Sequence, residues 1–164
     1  MSQITEQDII AAQDAWGDGI VKIGKVYQKD KEDFEAYKAT AEAHIKQFYN
    51  YGGPGGVLFK PTLAAEIQFR PTFEGALSYF VNSNPNFPED HGFAIKPWSK
   101  VRWERHGYNI IGDMAVAMGN YFFTPIVDGK EEAEVKVEYT FGYTKVDGEL
   151  KIILHGSHLP YSPE

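Results

Sequence analysis

The residues best suited to chemistry lie at the end of one strand-like run. The stretch "LKIILHGSHLPY" begins like a buried strand and then places His155, Ser157 and His158 just before Pro160. Side chains alternate along a strand, so His155 and Ser157 share one face and His158 points to the other. A buried polar group without a partner costs about 1–3 kcal/mol. This strand end therefore either bonds to backbone at a sheet edge or lines a polar pocket.

The sequence argues against several familiar catalytic sites. Its histidines show neither His-x-His nor HExxH spacing, and the absence of cysteine removes thiolate ligands and nucleophiles. We therefore predict no metal and no cofactor. A GxSxG nucleophile elbow is also absent. The remaining candidates are two neutral hydroxyls, Thr62 after "FKP" and Tyr79 in "GALSYF", and one carboxylate in an apolar stretch, Glu74.

Composition narrows the class of protein. The chain has 164 residues, of which 43% are hydrophobic, which is enough for the core of a single domain spanning residues 1–164. Its 15% of aromatic residues suits either a lined cavity or an aromatic-packed core. A net charge of −7 without a basic stripe argues against a nucleic-acid partner. We find no membrane-spanning run and no signal-peptide pattern, and we predict a cytoplasmic protein.

Two helices are predicted at the start of the chain. Thr5 and Asp8 have the spacing of a capping box, and apolar residues recur at helical spacing as far as Tyr27. The glycines within this stretch allow either a close neighbour or a break. A second amphipathic helix covers about residues 32–51 and ends at "YGGPGG".

Most of the remaining chain has the pattern of strands. The alternation in "AEIQFR" favours a strand, whereas "FEGALSYFVN" fits either a short third helix or a strand. In "VKVEYTFGYT", Val135, Val137, Tyr139, Phe141 and Tyr143 share one face, and Asp-Gly then turns the chain into the last strand. Helices followed by hairpin-linked strands predict an α+β fold. A curved antiparallel sheet wrapped around the N-terminal helices would form a cone with a pocket at its mouth.

Several segments together resemble one known family, the iota-class carbonic anhydrases of the nuclear-transport-factor-2-like superfamily. They are "VLFKPTLA" (57–64), "FEGALSYFV" (73–81), "FPEDHGFAIKPWSKVRWE" (87–104), "GDMAVAMGNYFFT" (112–124), "VEYTFGYTK" (137–145) and "ILHGSHLPY" (153–161). The resemblance covers nearly the whole chain. It implies a cone-shaped fold, a homodimer, and a lyase that interconverts carbon dioxide and bicarbonate without a metal.

The resemblance also implies which residues form the site. The family pocket uses a Thr, a Tyr and a Ser, and the matching positions are Thr62, Tyr79 and Ser157. The family end motif typically reads His-His-Ser-Ser, whereas this chain reads His-Gly-Ser-His over 155–158. If the second serine is the essential one, His158 replaces it here and activity is lost. If the first is essential, Ser157 retains it beside His155.

A catalytic hypothesis follows from these positions. Tyr79 and Thr62 would donate to an oxygen of carbon dioxide, Ser157 would position the attacking water, and His155 would accept or shuttle the proton. The expected apolar walls are formed by Phe59, Phe80, Tyr139 and Phe141.

Two alternatives remain open. One is an isomerase or dehydratase that uses a buried Glu74 as its base and Tyr79 as its donor. The other is a non-catalytic oligomeric scaffold or ligand-binding domain, in which side chains fill the cone.

Overall fold

The computed structural model describes residues 3–163 and has an α+β architecture. The helices are α1 (Glu6–Lys29), α2 (Phe34–Phe48) and α3 (Phe73–Val81), with a 3-10 turn at Phe93–Ile95. The strands are β1 (Leu58–Lys60), β2 (Trp98–Ile111), β3 (Met114–Val127), β4 (Lys130–Glu131), β5 (Val135–Val146) and β6 (Glu149–His158). The ambiguous segment "FEGALSYFV" is a helix, and Thr72 caps it by accepting from the amide of Gly75.

Helix α1 begins and continues as its sequence predicts. Thr5 and Asp8 form the capping box, with each side chain accepting from the other residue's backbone amide. The helix does not break at its glycines. Two of them instead allow a neighbouring element to approach closely. A Cβ at Gly19 would collide with the ring of His44 on α2, and one at Gly24 would lie 2.9 Å from Pro97.

The strands form one curved sheet that does not close into a barrel. Their order is β1-β6-β5-β3-β2, and β4 pairs with the end of β3. The sheet was expected to be antiparallel, but β1 runs parallel to β6, so it is mixed. Parallel neighbours need a long crossover, and the chain from β1 to β6 contains every other strand.

The strand predicted for residues 65–70 is wrong, because this segment is a loop. Two side-chain groups satisfy its polar atoms in place of a neighbouring strand. The carboxylate of Glu89 accepts from the amides of Ala65 and Ile67 at 2.6 and 2.7 Å. The side chain of Arg70 turns inward and donates to the carbonyl of Ile67 at 3.0 Å. The alternation does not correspond to two faces here, because residues 65–69 are all exposed and only Arg70 is buried.

The core lies between the helices and the inner face of the sheet. Strand β5 buries Val137, Tyr139, Phe141 and Tyr143 as the alternation predicts, while Val135 is exposed at its start. Trp16 of α1 packs at the centre of this face, where it contacts rings from the four strands β2, β3, β5 and β6. Among the helices of residues 3–163, none combines the length and apolar character needed to cross a bilayer.

Candidate active site

A cavity of about 450 Å3 opens between α3, the 3-10 turn and the inner face of the sheet. Its walls are mainly apolar and include Phe93, Trp98, Phe123 and Val137. The predicted walls were different: Phe59, Phe80, Tyr139 and Phe141 are buried in the core. Alternation along β5 predicts that Tyr139 and Phe141 face inward, but it does not show which inward-facing rings border the cavity.

The polar end of the cavity is a cluster of hydroxyl groups. Thr62 and Tyr79 line the cavity, and Ser157 joins Thr62 from the buried side with an Oγ–Oγ1 distance of 2.5 Å. The Tyr121 hydroxyl donates to Ser157 Oγ at 2.5 Å. The backbone amide of Leu63 donates to the Tyr79 hydroxyl at 3.2 Å. The three hydroxyl residues predicted from the sequence are therefore brought together, with Ser157 deeper than the other two.

The parallel pairing of β1 with β6 brings Thr62 to Ser157. In this register Phe59 lies opposite His155 and Lys60 lies opposite Gly156. Two residues beyond the end of β1, the chain reaches Thr62 beside the end of β6. Two residues that are 95 positions apart thus share a hydrogen bond.

His155 lies beneath the hydroxyl cluster and is fully enclosed. Its Nδ1 is 2.8 Å from the Tyr49 hydroxyl, and its Nε2 is 2.9 Å from the Tyr121 hydroxyl. The ring is sandwiched between Phe141 and Phe59, with centroids 4.2 and 4.9 Å away. Burial lowers the pKa of His155 to about 3, so the imidazole is neutral near pH 7.

The hydroxyls around the cavity remain protonated near neutral pH. Burial raises the pKa of Tyr79 to about 12, although hydrogen bonds from the Leu63 amide and the Thr62 side chain oppose this shift. Burial also raises the pKa of Tyr121, against the hydrogen bond to Ser157. These groups are therefore hydrogen-bond donors and not bases.

A buried ion pair holds the two segments that carry Thr62 and Tyr79. Arg70 binds Asp90 through two hydrogen bonds of 2.7 and 2.8 Å, and both side chains are almost fully buried. The same guanidinium donates to the carbonyl of Gly75 in the first turn of α3. Because Arg70 also anchors the loop after Thr62 through Ile67, this pair fixes the loop relative to α3.

The departures from the family end motif fall outside the site. His155 and Ser157 are buried and face inward, whereas Gly156 is partly exposed and His158 is exposed on the outer face of β6. Ser157 is the serine that contacts Thr62. The alternative in which the second serine is essential would place the essential hydroxyl at an outward position.

The two alternative functions lose support. Glu74 is exposed in the first turn of α3 and does not line the cavity with Tyr79, so the isomerase lacks its buried base. A scaffold with a filled cone is also disfavoured, because the cavity is open.

Three residues in contact with this site were missed by sequence reasoning. Tyr121 of β3 and Tyr49, just after α2, bind the two nitrogens of His155, and the Trp16 Nε1–H donates to Tyr49 at 3.1 Å. In the sequence all three resemble core aromatics. Only their buried polar atoms, which need partners, hint at a shared network.

Metal ligation has no candidate among the described side chains. In residues 3–163, no three histidine, aspartate or glutamate side chains group in a way that could hold a metal ion. The histidine at this site has both nitrogens engaged by tyrosines.

Comparison with known proteins agrees with this geometry. A family model described as metal-independent carbonic anhydrase matches residues 7–159. The metal-independent carbonic anhydrase of Nostoc sp. (strain PCC 7120 / SAG 25.82 / UTEX 2576) is 43% identical over 160 residues, which cover 96% of this chain and 75% of the relative.

Solved structures with a similar fold support the same assignment. A cyanobacterial iota-carbonic anhydrase, crystallised with bicarbonate, superposes with a TM-score of 0.89 at 43% identity, covering 98% of this chain and 95% of the other. An NTF2-like protein with a cystatin-like fold from Novosphingobium aromaticivorans has a TM-score of 0.61 at 8% identity, covers 93% of this chain and 80% of its own, and supports the fold alone. The chain therefore belongs to the metal-independent, iota-class carbonic anhydrase family.

Proposed function

We propose that this protein catalyses the reversible hydration of carbon dioxide to bicarbonate, and that no metal takes part. The observation that carries the proposal is the cluster of Thr62, Ser157 and Tyr79 hydroxyls at the end of an apolar cavity. Membership of the family supports it, as does a 43% identical relative crystallised with bicarbonate.

The cavity suits a small, linear and uncharged substrate. Its rings offer carbon dioxide an apolar slot, and its polar end offers donors to one oxygen. As water adds to the carbon, the electron pair of one C=O bond moves onto that oxygen. Tyr79, with Thr62 beside it, is the donor we propose for the developing charge. The deeper Ser157 holds Thr62 in place.

The proton released from water needs an acceptor other than His155. A pKa of about 3 makes His155 a poor base near neutral pH, so we propose a positioning role for it in place of the proton shuttle expected from the sequence. His91 lines the cavity and is exposed to solvent. We propose that the water proton leaves through this mouth, to His91 or to buffer.

The test is carbon dioxide hydration by stopped flow on exhaustively chelated protein. We expect catalysis to persist after chelation. Activity that disappears with the chelator and returns with added zinc or manganese would overturn the metal-free reaction. An absence of catalysis under all conditions would overturn the proposed function.

We also propose a homodimer formed through the outer face of the sheet. Met114, Val116 and Met118 are exposed on one face of β3, and Ile111 pairs with Met114. The residues paired with these three on β5 are Thr144, Gly142 and Thr140, so no charge lies opposite them across that strand pair. Light scattering should give twice the chain mass, and Met118→Lys should give a monomer. A monomeric wild type at micromolar concentration would dismiss the dimer.

The cytoplasm is the location that we propose from the sequence. Immunodetection in fractionated source cells would test it, and recovery of the protein mainly outside the cytoplasmic fraction would contradict it.

A further inference from the structure

One continuous chain of hydrogen bonds runs from α1 to the cavity. It starts at Trp16, whose Nε1–H donates to the Tyr49 hydroxyl at 3.1 Å, and passes from Tyr49 to Nδ1 of His155 at 2.8 Å. From Nε2 of His155 it continues to the Tyr121 hydroxyl at 2.9 Å, and then to Ser157 at 2.5 Å. Ser157 reaches Thr62, which lines the cavity together with Tyr79.

The first link determines the direction of the second. An indole N–H can only donate, so the Tyr49 oxygen accepts from Trp16. Among residues 3–163, the only other polar partner of the Tyr49 hydroxyl is Nδ1 of His155. The single proton of Tyr49 must therefore go to Nδ1, since otherwise it would be buried without an acceptor. Nδ1 is then unprotonated, and a neutral imidazole carries its proton on Nε2.

The remaining links follow the same direction. The Nε2–H of His155 donates to Tyr121, and Tyr121 donates its proton to Ser157. Ser157 then donates to Thr62 at the cavity, and the Tyr79 oxygen beside it accepts from the Leu63 amide. The phenolic proton of Tyr79 is left for a ligand in the cavity.

We propose that Trp16 and Tyr49 are positioning residues for the reaction. They lock His155 in its Nε2–H form and so orient every hydroxyl toward the cavity as a donor. In this direction the chain stabilises negative charge on a substrate oxygen but cannot carry a proton inward to His155. Such a transfer would require Ser157 to accept from Thr62, and Tyr49 would then lose its only acceptor. The catalytic part of this inference rests on the proposed carbon dioxide hydration.

The test combines the tautomer of His155, read by 15N NMR of the imidazole, with the hydration rate. In the wild type near pH 7 we expect Nε2–H to exceed Nδ1–H by about tenfold or more. In Trp16→Phe the Tyr49 oxygen is free to accept from Nδ1–H, so both tautomers should be populated. The value of kcat should fall in proportion to the lost fraction of Nε2–H.

A matched control separates direction from packing. Trp103 lies in the same aromatic cluster, with its ring 6.0 Å from that of Trp16, and it does not bond to Tyr49. Trp103→Phe should therefore keep one tautomer and a near wild-type kcat. A wild type with Nδ1–H, or a single Nε2–H form in folded Trp16→Phe, would overturn the proposal. The wild-type NMR spectrum can be recorded without a stable variant and without hydratase activity. If the wild type shows Nε2–H but does not hydrate carbon dioxide, only the proposed function is refuted.

Discussion

Removing one hydroxyl from the cavity tests the proposed site most directly. In Tyr79→Phe the ring remains, and with it the packing on Phe93 at a centroid distance of 5.7 Å. The change removes the hydroxyl to which the backbone amide of Leu63 donates at 3.2 Å. Losing such a bond costs about 1 kcal/mol of folding free energy. The protein should therefore stay folded with a slightly lower urea midpoint.

Catalysis should suffer far more than stability. Removing one donor to a developing oxyanion lowers kcat by about 10²–10³-fold, or roughly 3–4 kcal/mol of transition-state stabilisation. Because this donor acts mainly in the transition state, kcat and kcat/KM should fall together in stopped-flow hydration assays.

The control for this experiment is Tyr51→Phe. It also removes one tyrosine hydroxyl bond, the 2.6 Å bond to the carbonyl of Arg70, at a hydroxyl that does not line the cavity. It should cost similar stability and leave kcat within about twofold. If Tyr79→Phe also keeps kcat within about twofold, or changes KM alone, the oxyanion role of Tyr79 is refuted.

Three other perturbations have expected outcomes. Burial lowers the pKa of both His44 and His155 to about 3, so each histidine binds a proton in the unfolded chain before it does in the folded protein. As the pH falls from 6.5 to 3, the free energy of unfolding should therefore decrease by up to about 1.4 kcal/mol per pH unit for each histidine. His44→Leu should roughly halve that slope in urea titrations, and an unchanged slope would contradict it. Asp90→Asn leaves the buried Arg70 charge uncompensated and should cost about 3–5 kcal/mol in the same assay; a loss below 1 kcal/mol would be inconsistent with this. His91→Ala should slow hydration in weak buffer and recover with imidazole, whereas an equal rate without imidazole would exclude His91 as the exit.

Local physics made the helices and the central strands predictable. The capping box at Thr5 and the alternation along β5 depend on neighbouring residues, which a sequence displays directly. The alternation over residues 65–70 predicts a strand, and this prediction is wrong because the carboxylate that binds the backbone amides, Glu89, lies more than twenty residues away. Alternation alone cannot show whether backbone amides bind a strand or a distant carboxylate.

Some residues of the candidate site could also be predicted from the sequence, and others could not. The polar end of the last strand indicates His155 and Ser157, and the family resemblance assigns site roles to Thr62, Tyr79 and Ser157. The structure links Thr62, Ser157 and His155 through Tyr121, with Tyr79 beside Thr62 at the cavity. Tyr121 reaches that network diagonally across β5, since it pairs with Val137 while Tyr139 pairs with Ser157. Sheet register of this kind depends on the whole fold, so no local signal separates Tyr121 from an ordinary core tyrosine.

The parallel contact between β1 and β6 has a consequence for the timing of synthesis. The ribosome makes β1 first and β6 after all the other strands. About ninety residues are therefore added between the synthesis of Thr62 and that of its hydrogen-bond partner, Ser157. During that interval the hydroxyl cluster cannot assemble, because Ser157 has not yet been made. Enzymatic competence should therefore arise abruptly, when the last strand leaves the exit tunnel and docks.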